Sequence, residues 1–457
     1  MSPAKSNLTR RAALGVFSIV PAHVLGKTAP SNLVQIAQIG CGRIARAMEF
    51  PGLLRNSDSA RIVAVCDLDT VRLADAKAHL ERIYASKYGE NYTKVKTYAD
   101  YHEMLKDPSI DAVAISTPDH WHAQPTIEAA LAGKDVFLQK PASLTIAEGR
   151  LMADTISKTG RIFQQGSQQR SDPAFRLACE LVRNGRIGKV LEVFVGLPTD
   201  PAGGNPAPMP VPSNLNYDAW LGVTPVMPYC EERVHPQSPD MRKRYDRPGW
   251  LRLEQFGAGM ITGWGAHHID TAHLAMGLEH SGPTEIVADA SFPKAGLWDV
   301  HGSYHVRMKY PNGATMFISD KFENGVRFIG EQGWIWVTRG RYTPGQGNSR
   351  TVAASDERWL KEGIRSGEIR LHVSPKNDHH LDWIDAIKAR RPAVAPAEDG
   401  HRSCSACLLA HAAMKTGRTL KWDLKAERFI GDDEANKLLA RPERAPYGAA
   451  RVLAAHK

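Results

Sequence analysis

Two segments of the chain carry residue types that could move a proton. In the first, Lys140 follows a strand-like run at residues 135–138 and is held by Pro141. Partial burial and a neighbouring positive charge would lower the pKa of this amine from about 10.4. An amine with a lowered pKa can accept a proton from a hydroxyl group near neutral pH. An ordinary surface lysine is the alternative.

The second segment is a glycine-rich turn at residues 257–265, followed by a predicted helix that begins near Ala266. His267 and Asp270 are three residues apart, so they share one helix face and could enter one pocket together. A helix N-terminus disfavours a protonated imidazole, which leaves His267 available as a base. His268 points in another direction, and we therefore choose His267. A buried structural histidine is the alternative.

A glycine motif predicts the element that would position these groups beside a dinucleotide. The apolar run Val34–Ile39 predicts a strand, and residues 40–45 follow it with the spacing GxGxxA before a helical pattern. The glycines permit a tight turn and close approach to a pyrophosphate, and the helix start offers N–H groups to the anion. The cofactor contacts expected here are Gly40, Gly42, Arg43 and Ile44.

The acid that ends the next predicted strand indicates which dinucleotide binds. Asp67 follows an apolar run at residues 61–66 and stands about twenty residues after the glycine motif. A carboxylate there binds the ribose hydroxyls and repels a 2′-phosphate, so the sequence favours NAD over NADP. Arg72 leaves some room for NADP, and a solvated aspartate at a strand end is the alternative.

Two further strand–helix units complete the predicted cofactor site. Residues 111–116 and 135–138 predict buried parallel strands. Ligands of such sheets bind beyond the carboxyl ends of the strands, so residues 117–122 and 139–141 should converge at the nicotinamide. The cofactor contacts expected from these two segments are Thr117, Pro118, His122, Gln139 and Lys140.

These motifs together resemble those of the glucose–fructose oxidoreductase/inositol dehydrogenase/MocA superfamily. The resemblance extends from about Ser31 to the C-terminus. It implies an α/β fold with an N-terminal Rossmann domain and a C-terminal α/β domain on a large, mostly antiparallel, open-faced sheet. It also implies a homo-oligomer, a dimer or tetramer, because the family commonly pairs its open sheet faces.

The resemblance assigns roles and reveals two departures from the family pattern. The family's conserved lysine corresponds to Lys140, which is implied to contact both the nicotinamide ribose and a substrate hydroxyl. The family usually has Glu-Lys-Pro where this chain has Gln-Lys-Pro, with Gln139 in place of the glutamate. Loss of the glutamate's negative charge would lower the pKa of Lys140 further. An aspartate that precedes the family's catalytic histidine by four residues corresponds to Gly263. The division of work between Lys140 and His267 therefore stays open.

The predicted organisation has three parts: a signal segment at residues 1–30, a Rossmann domain at 31–158, and a substrate-binding and oligomerisation α/β domain at 159–457 with a C-terminal arm. The second domain would open with the strand pattern at residues 160–166. Further strand patterns lie at residues 284–290, 302–310, 314–318 and 333–337, with Trp334 and Trp336 in the core. The long Pro-, Asn- and Arg-rich insertion at residues 199–251 predicts a binding or interface loop.

The function expected from these residues is NAD-dependent hydride transfer to or from a secondary alcohol of a sugar, glycoside or cyclitol. The substrate contacts expected are Asp270, Gln168, Arg170 and Trp264. One alternative is a glycosidase that oxidises a sugar carbon with bound NAD, eliminates the leaving group, adds water and reduces the product. Another is a binding protein that retains NAD without turnover. The sugar, its reacting carbon and the direction stay open.

Composition argues against several other classes of function. Apolar residues make up 42% and charged residues 23% of the 457 residues, which is typical of a globular protein. The net charge is +9, but Lys and Arg are spread along the chain, so nucleic-acid binding is not expected. Cys404 and Cys407 form a lone CxxC, and the clustered histidines lack a zinc-binding spacing. We therefore expect core packing for these cysteines and no metal.

The N-terminus predicts export. Arg10 and Arg11 precede a short apolar stretch that ends near Leu25, which is typical of a twin-arginine signal. The alternative, a membrane anchor, would need about 20 apolar residues to cross a bilayer. No other segment approaches that length, so no integral membrane span is expected. The predicted location is the periplasm, with a tethered form if the signal is not cleaved.

Overall fold

The computed structural model describes residues 33–89, 91–340, 342–343, 347–348 and 351–456, so the predicted export signal lies outside the described residues. The strands, numbered in chain order, are β1 (Val34–Ile39), β2 (Ala60–Cys66), β3 (Lys96–Tyr98), β4 (Ala112–Ile115), β5 (Asp135–Leu138), β6 (Phe163–Gln165), β7 (Val190–Gly196), β8 (Glu285–Ala290), β9 (Tyr304–Lys309), β10 (Thr315–Ser319), β11 (Gly325–Gly330), β12 (Gly333–Thr338), β13 (Tyr342–Thr343), β14 (Gly347–Asn348), β15 (Thr351–Ala354), β16 (Leu420–Asp423) and β17 (Arg428–Phe429).

The α-helices are α1 (Phe50–Arg55), α2 (Thr70–Tyr88), α3 (Tyr101–Leu105), α4 (Ala123–Leu131), α5 (Ile146–Thr159), α6 (Pro173–Arg183), α7 (Tyr217–Leu221), α8 (Met241–Arg244), α9 (Met260–Gly263), α10 (Gly265–Met276), α11 (Glu357–Glu362), α12 (His379–Ala389), α13 (Ala397–Thr416), α14 (Asp433–Asn436) and α15 (Ala449–Ala455). A π-helix, Ala45–Glu49, precedes α1. None of the helices within the described ranges is long and apolar enough to cross a membrane.

The first sheet has six parallel strands in the order β3-β2-β1-β4-β5-β6. Its central strands are buried on both faces, as their Ala, Val and Ile content requires. The strand order reverses between β1 and β4, which places the switch point of a Rossmann fold at the ends of these two strands. The predicted N-terminal fold is therefore confirmed.

The structure corrects the prediction that residues 160–166 open the second domain. Strand β6 pairs in parallel with β5 and so completes the first sheet. Its two glutamines, Gln164 and Gln165, are fully buried against segments from the C-terminal half. Gln164 Nε2 donates to His379 O at 2.5 Å, for example. The polar residues of this strand suggested the start of a new sheet in the sequence. In the structure they are buried by partners that lie far away along the chain.

The second sheet has nine strands in the order β15-β12-β11-β7-β10-β9-β8-β16-β17. The β7–β10 pair is parallel and the other neighbours are antiparallel. Strand β9 alternates strictly between buried and exposed residues, as a sheet with one covered face requires. This mostly antiparallel sheet confirms the expected C-terminal fold.

The outer face of this sheet corrects the placement of two tryptophans. Trp334 and Trp336 share a face of β12 as predicted, but Ile335 and Val337 are the fully buried residues of that strand. The tryptophans are half-buried on the opposite face, where the Arg327 guanidinium lies 5.1 Å from the Trp334 ring centre. Period-two spacing identifies which residues share a face, but it does not identify which face is covered.

The long helix α13 joins the two halves of the molecule. It packs against α5 and β6 on one side and against α10 and β8 on the other. Its residues Cys404 and Cys407 are fully buried in the main apolar cluster, which confirms core packing for the CxxC. All six cysteines of the chain are buried free thiols.

Candidate active site

One cavity lies at the carboxyl ends of β1, β2, β4 and β5, and its volume is about 380 Å³. It brings together every residue predicted to contact the cofactor: Gly40, Gly42, Arg43, Ile44, Asp67, Thr117, Pro118, His122, Gln139 and Lys140. The cavity therefore occupies the switch point at which a Rossmann sheet binds its dinucleotide.

The glycine motif forms the floor of this cavity. Gly40 has φ of +81°, and a Cβ atom there would lie 2.8 Å from Ser116 O, so only glycine fits between the ends of β1 and β4. The Cys41 N–H donates to Asp67 Oδ2 at 2.7 Å, which ties the turn to the end of β2. The chain then becomes helical at Arg43 and Ile44, ahead of the π-helix, and the first N–H groups of this segment can receive a pyrophosphate.

Asp67 is held in position by two backbone contacts. Besides the Cys41 N–H, the Asp69 N–H donates to its Oδ1 at 2.8 Å. Burial raises the pKa of Asp67, and nearby Arg72 opposes that rise. Arg72 in turn donates to Arg244 O at 2.7 Å. A carboxylate fixed at this point of the cavity can accept hydrogen bonds from the ribose hydroxyls of a dinucleotide.

The inserted segment, residues 199–251, packs over this end of the cavity. Its backbone bonds to the loop after β2, from Thr70 N to Asn214 O at 2.9 Å and from Asn216 N to Leu68 O at 3.0 Å. The buried side chain of Asp69 receives hydrogen bonds from four residues of the segment: Asn214, His235, Gln237 and Arg244. The segment also contributes Asn216, Ala219, Trp220 and His235 to the cavity wall.

Sequence reasoning missed Asp69. The residue precedes α2 and accepts hydrogen bonds from the Val71 and Arg72 N–H groups, so its sequence context predicts only a helix cap. The partners that make it a docking point for the inserted segment lie more than a hundred residues away, and the sequence gives no local signal for them.

Lys140 lies at the opposite end of the cavity and extends to the second half of the chain. Its Nζ donates to Gly263 O at 2.6 Å. Burial lowers the pKa of Lys140 to about 8, with Asp119 opposing and Arg339, Arg43 and Arg247 reinforcing that change. Gly263, the position where the resembled family has an acid, thus offers a backbone carbonyl to the amine.

Asp119 is a second acidic group that sequence reasoning did not single out. It begins a short 3₁₀ turn after β4, is 5% exposed and lines the cavity. Burial raises the pKa of Asp119 to about 7, and Lys140 opposes the rise. The signal in the sequence is a polar residue just beyond a buried parallel strand, which is where such sheets bind ligands.

His267 lies in the first turn of α10, and its side chain is buried, with 6% of the residue exposed. Burial, together with Arg339 and Lys140, lowers the pKa of His267 well below its usual value. Its Nδ1 atom is buried without a hydrogen-bond partner in the described part of the chain. The cavity is lined by Gly263, one turn earlier, and not by His267 itself. The imidazole is therefore neutral and near the Lys140 amine, but it is a weak base.

The contacts of His268 favour the choice of His267. The Nε2 atom of His268 lies 2.8 Å from Asn324 Oδ1, and its Nδ1 atom lies 3.3 Å from the Gln169 amide. Both ring nitrogens of His268 thus have protein partners, which leaves no free position for a substrate hydroxyl.

The structure speaks against the predicted substrate contacts of Asp270 and Arg170. Arg170 Nε and Nη2 donate to the two oxygens of Asp270 at 2.8 and 2.7 Å. Arg170 Nη1 also donates to Asp399 at 2.7 Å. Asp270 is 1% exposed and Arg170 5% exposed. These three residues form the buried ion cluster, in which one guanidinium is paired with two carboxylates. Asp270 and Arg170 do not line the cavity, so the cluster has a structural role.

Gln168 and Trp264 keep their predicted roles as hypotheses. Gln168 is half-buried at the start of a 3₁₀ turn. Trp264 is half-buried between α9 and α10, with the Arg339 guanidinium 5.4 Å from its ring centre. No group of three or more His, Cys, Asp or Glu side chains within the described ranges is arranged to hold a metal ion.

Comparison with protein families matches both halves of the chain. Residues 34–167 match an oxidoreductase family with an NAD-binding Rossmann fold, and residues 202–341 and 361–449 match the C-terminal alpha/beta domain of the same family.

Individual relatives match over most of the chain. Myo-inositol 2-dehydrogenase of Thermotoga maritima is 26% identical over 414 residues, which cover 87% of this chain and 100% of that protein. The crystal structure of aldose-aldose oxidoreductase from Caulobacter crescentus with glycerol has a TM-score of 0.59 at 20% identity, covering 85% of this chain and 99% of that one. The WlbA dehydrogenase of Bordetella pertussis, solved with NADH and UDP-GlcNAcA, has a TM-score of 0.59 at 17% identity. The match covers 86% of this chain and 99% of that one.

Proposed function

The chain belongs to the GFO_IDH_MocA oxidoreductase family with its NAD-binding Rossmann fold, and we propose that it transfers hydride between NAD and a secondary alcohol of a sugar, glycoside or cyclitol. The observation that carries this proposal is the Lys140 amine. It lies at the end of the cofactor cavity, bonded to Gly263 O at 2.6 Å, with a pKa lowered to about 8. The relative from Thermotoga maritima is named for myo-inositol, a cyclitol, which supports the substrate class.

NAD fits the residues present: the glycine turn and helix start for the pyrophosphate, and Asp67 for the ribose hydroxyls. When bound, NAD supplies the acceptor for a carbon-bound hydride. Lys140 takes the hydroxyl proton during oxidation and returns it during reduction. Asp119 stabilises the protonated amine. The lowered pKa of His267 prevents this side chain from holding a proton at neutral pH, so the neutral imidazole orients the hydroxyl by hydrogen bonding.

A redox-neutral cycle is the second candidate, and the inserted segment favours it. The four contacts to Asp69 hold this segment over the adenosine end, where it would slow release of a bound dinucleotide. A retained cofactor suits oxidation of one sugar coupled to reduction of another, or a glycosidase that oxidises and then re-reduces its substrate.

Export and oligomer formation belong to the same proposal. Arg10 and Arg11 support twin-arginine export to the periplasm, where a retained cofactor would need no soluble supply. The half-buried Trp334 and Trp336 on the outer sheet face support pairing of two sheet faces. Cell fractionation tests the location, and light scattering of the purified protein tests the oligomer.

The proposed function is tested with the protein as purified. Mass spectrometry of the nucleotide released on denaturation identifies the cofactor. Sugars, glycosides and cyclitols are then added in turn while the near-ultraviolet absorbance of NADH is followed. A substrate-dependent rise supports the dehydrogenase, whereas release of aglycone from an aryl glycoside without added cofactor or net NADH supports the glycosidase. Absence of any response across the panel would leave the cofactor-retaining binding protein.

A further inference from the structure

A buried carboxylate that has no role in the proposed chemistry is linked to the Lys140 backbone by two hydrogen bonds through one side chain. Glu49 ends the π-helix that follows the glycine motif, and it is fully buried. Its Oε1 accepts a hydrogen bond from Gln139 Nε2 at 2.6 Å. Burying a carboxylate without such a donor would be costly, so this contact is a specific pairing.

The pairing fixes the orientation of the Gln139 amide. A carboxylate only accepts, so the amide nitrogen must face Glu49 and the amide oxygen must face the other way. That oxygen accepts the Lys140 backbone N–H at 3.3 Å. On the remaining side, a Cβ at Gly166 would lie 2.9 Å from Gln139 Nε2, so the side chain lies directly on the Gly166 backbone. Glu49 thus acts on the Lys140 backbone through one side chain.

The other surroundings of Glu49 are tightly packed. His380 Nε2 lies 3.9 Å from its Oε1, and the His380 ring stacks on Phe137 with a 5.0 Å centroid distance. A Cβ at Gly52 would lie 2.2 Å from His380 Nδ1, so α1 and α12 meet closely here. Within the described residues, Gln139 is the hydrogen-bond donor of Glu49 Oε1, whereas Glu49 Oε2 is buried without a partner.

This arrangement accounts for Gln139 itself. A glutamate at position 139 would place its carboxylate about where the amide is, 2.6 Å from Glu49 Oε1. Two carboxylates at that distance repel each other, and one would have to take up a proton. The amide at position 139 thus avoids placing a second carboxylate beside Glu49.

We propose that Glu49 and Gln139 are positioning residues that form a matched carboxylate–amide pair and hold the Lys140 backbone at the end of the cofactor cavity. The inference rests on the proposed function for the role of Lys140. The pairing and its effect on the amine can be measured without any turnover.

The groups that face the Lys140 amine define the pH dependence expected when this pair is altered. From the turn after β4 they are Asp119 and His122, from α10 His267, and from the remaining segments Arg43, Arg247 and Arg339. A carboxylate moved from Glu49 to position 139 would join Asp119 as a second nearby anion. It would favour the protonated amine and raise its pKa.

The experiment compares the full-length protein with E49Q, Q139E and the exchanged double variant E49Q/Q139E. E357Q, at a glutamate whose side chain is 81% exposed in the second half, is the matched control. Three readouts need no substrate: the melting temperature, the affinity for added NAD, and the pH dependence of Lys140 acetylation by acetic anhydride, followed by mass spectrometry. Turnover against pH is the fourth readout.

Q139E should weaken NAD binding about tenfold and lower the melting temperature, because two carboxylates meet. The double variant restores the pair with its ends exchanged, so both properties should recover. Its Lys140 acetylation midpoint, and the pH midpoint of turnover, should lie about one unit above those of the wild type. Purely structural packing would restore stability without moving either midpoint.

The proposal is overturned if Q139E binds NAD and melts like the wild type, or if E49Q/Q139E is no better than Q139E. If Q139E and the double variant do not fold, E49D retains the charge and lengthens the contact. In E49D turnover should fall about tenfold with NAD still bound, and unchanged turnover would also overturn the proposal. If NAD affinity and melting temperature recover in E49Q/Q139E but no sugar is turned over by any of the proteins, the carboxylate–amide pair is supported and the proposed function is contradicted.

Discussion

Two groups of charged residues, the buried ion cluster and the Lys140–Asp119 pair, contain the same residue types in opposite situations. In the buried ion cluster, Arg170 is fully satisfied by the carboxylates of Asp270 and Asp399. Lys140 instead donates to a backbone carbonyl, with Asp119 as the acid that acts on its pKa. A cation with two close anions remains charged, whereas one held by a neutral carbonyl can gain and lose a proton. Residue type alone therefore does not separate structural from reactive charges.

The largest effect should come from removing the reactive charge. Lys140→Met preserves the length and apolar stem of the side chain but removes the amine. Turnover should fall about a thousandfold while NAD content stays unchanged, because proton transfer is lost and cofactor contacts remain. Steady-state rates and bound nucleotide measure the two effects, with Lys361→Met as a surface control. Full turnover in the variant would show that Lys140 is not the base.

Removing a satisfied charge should affect stability instead. Asp270→Asn leaves Arg170 with one of its two carboxylates, and breaking a buried pair costs about 3–5 kcal/mol of unfolding free energy. Urea unfolding measures the loss, and KM for the sugar should change little in the folded protein. A raised KM at unchanged stability would instead restore the original prediction that Asp270 contacts substrate.

The neutral histidine should give a smaller effect on rate. His267→Asn keeps a hydrogen-bonding group and removes the ring, so kcat should fall about a hundredfold. Its low pKa means that the pH midpoint of activity should stay where it is. If that pH limb disappears in His267→Asn but persists in His268→Asn, His267 is the titrating base.

The smallest effect should come from the acid that faces Lys140. Asp119→Asn removes the anion that favours the protonated amine, so the pKa of Lys140 should fall below its value of about 8. Alcohol oxidation requires the neutral amine, so its rising pH limb should move down by about one unit. An upward shift, or none, would mean that Asp119 does not act on Lys140.

The cofactor half of the site could be predicted because its signals are local in sequence. The spacing of Gly40 and Gly42, and Asp67 at the next strand end, follow directly from strand and turn geometry. The helix N-terminus likewise predicted a neutral His267, whose pKa is lowered by burial and by Arg339 and Lys140.

The remainder depended on partners far apart in the chain. Helical spacing predicted Asp270 on the face of His267, but it could not reveal that Arg170 would bind the carboxylates of both Asp270 and Asp399. The same holds for Glu49, whose donor Gln139 lies ninety residues away. Buried polar groups must find partners, yet the choice of partner is a property of the folded core.

The most direct test is the absorbance of bound NADH after a sugar or cyclitol is added to the purified protein and to Lys140→Met containing equal NAD. A substrate-dependent rise in the wild type that is absent in the variant is the expected result. Equal rises in both proteins, or an isolated protein that neither contains nor takes up NAD, would contradict hydride transfer at this cavity with Lys140 as the base.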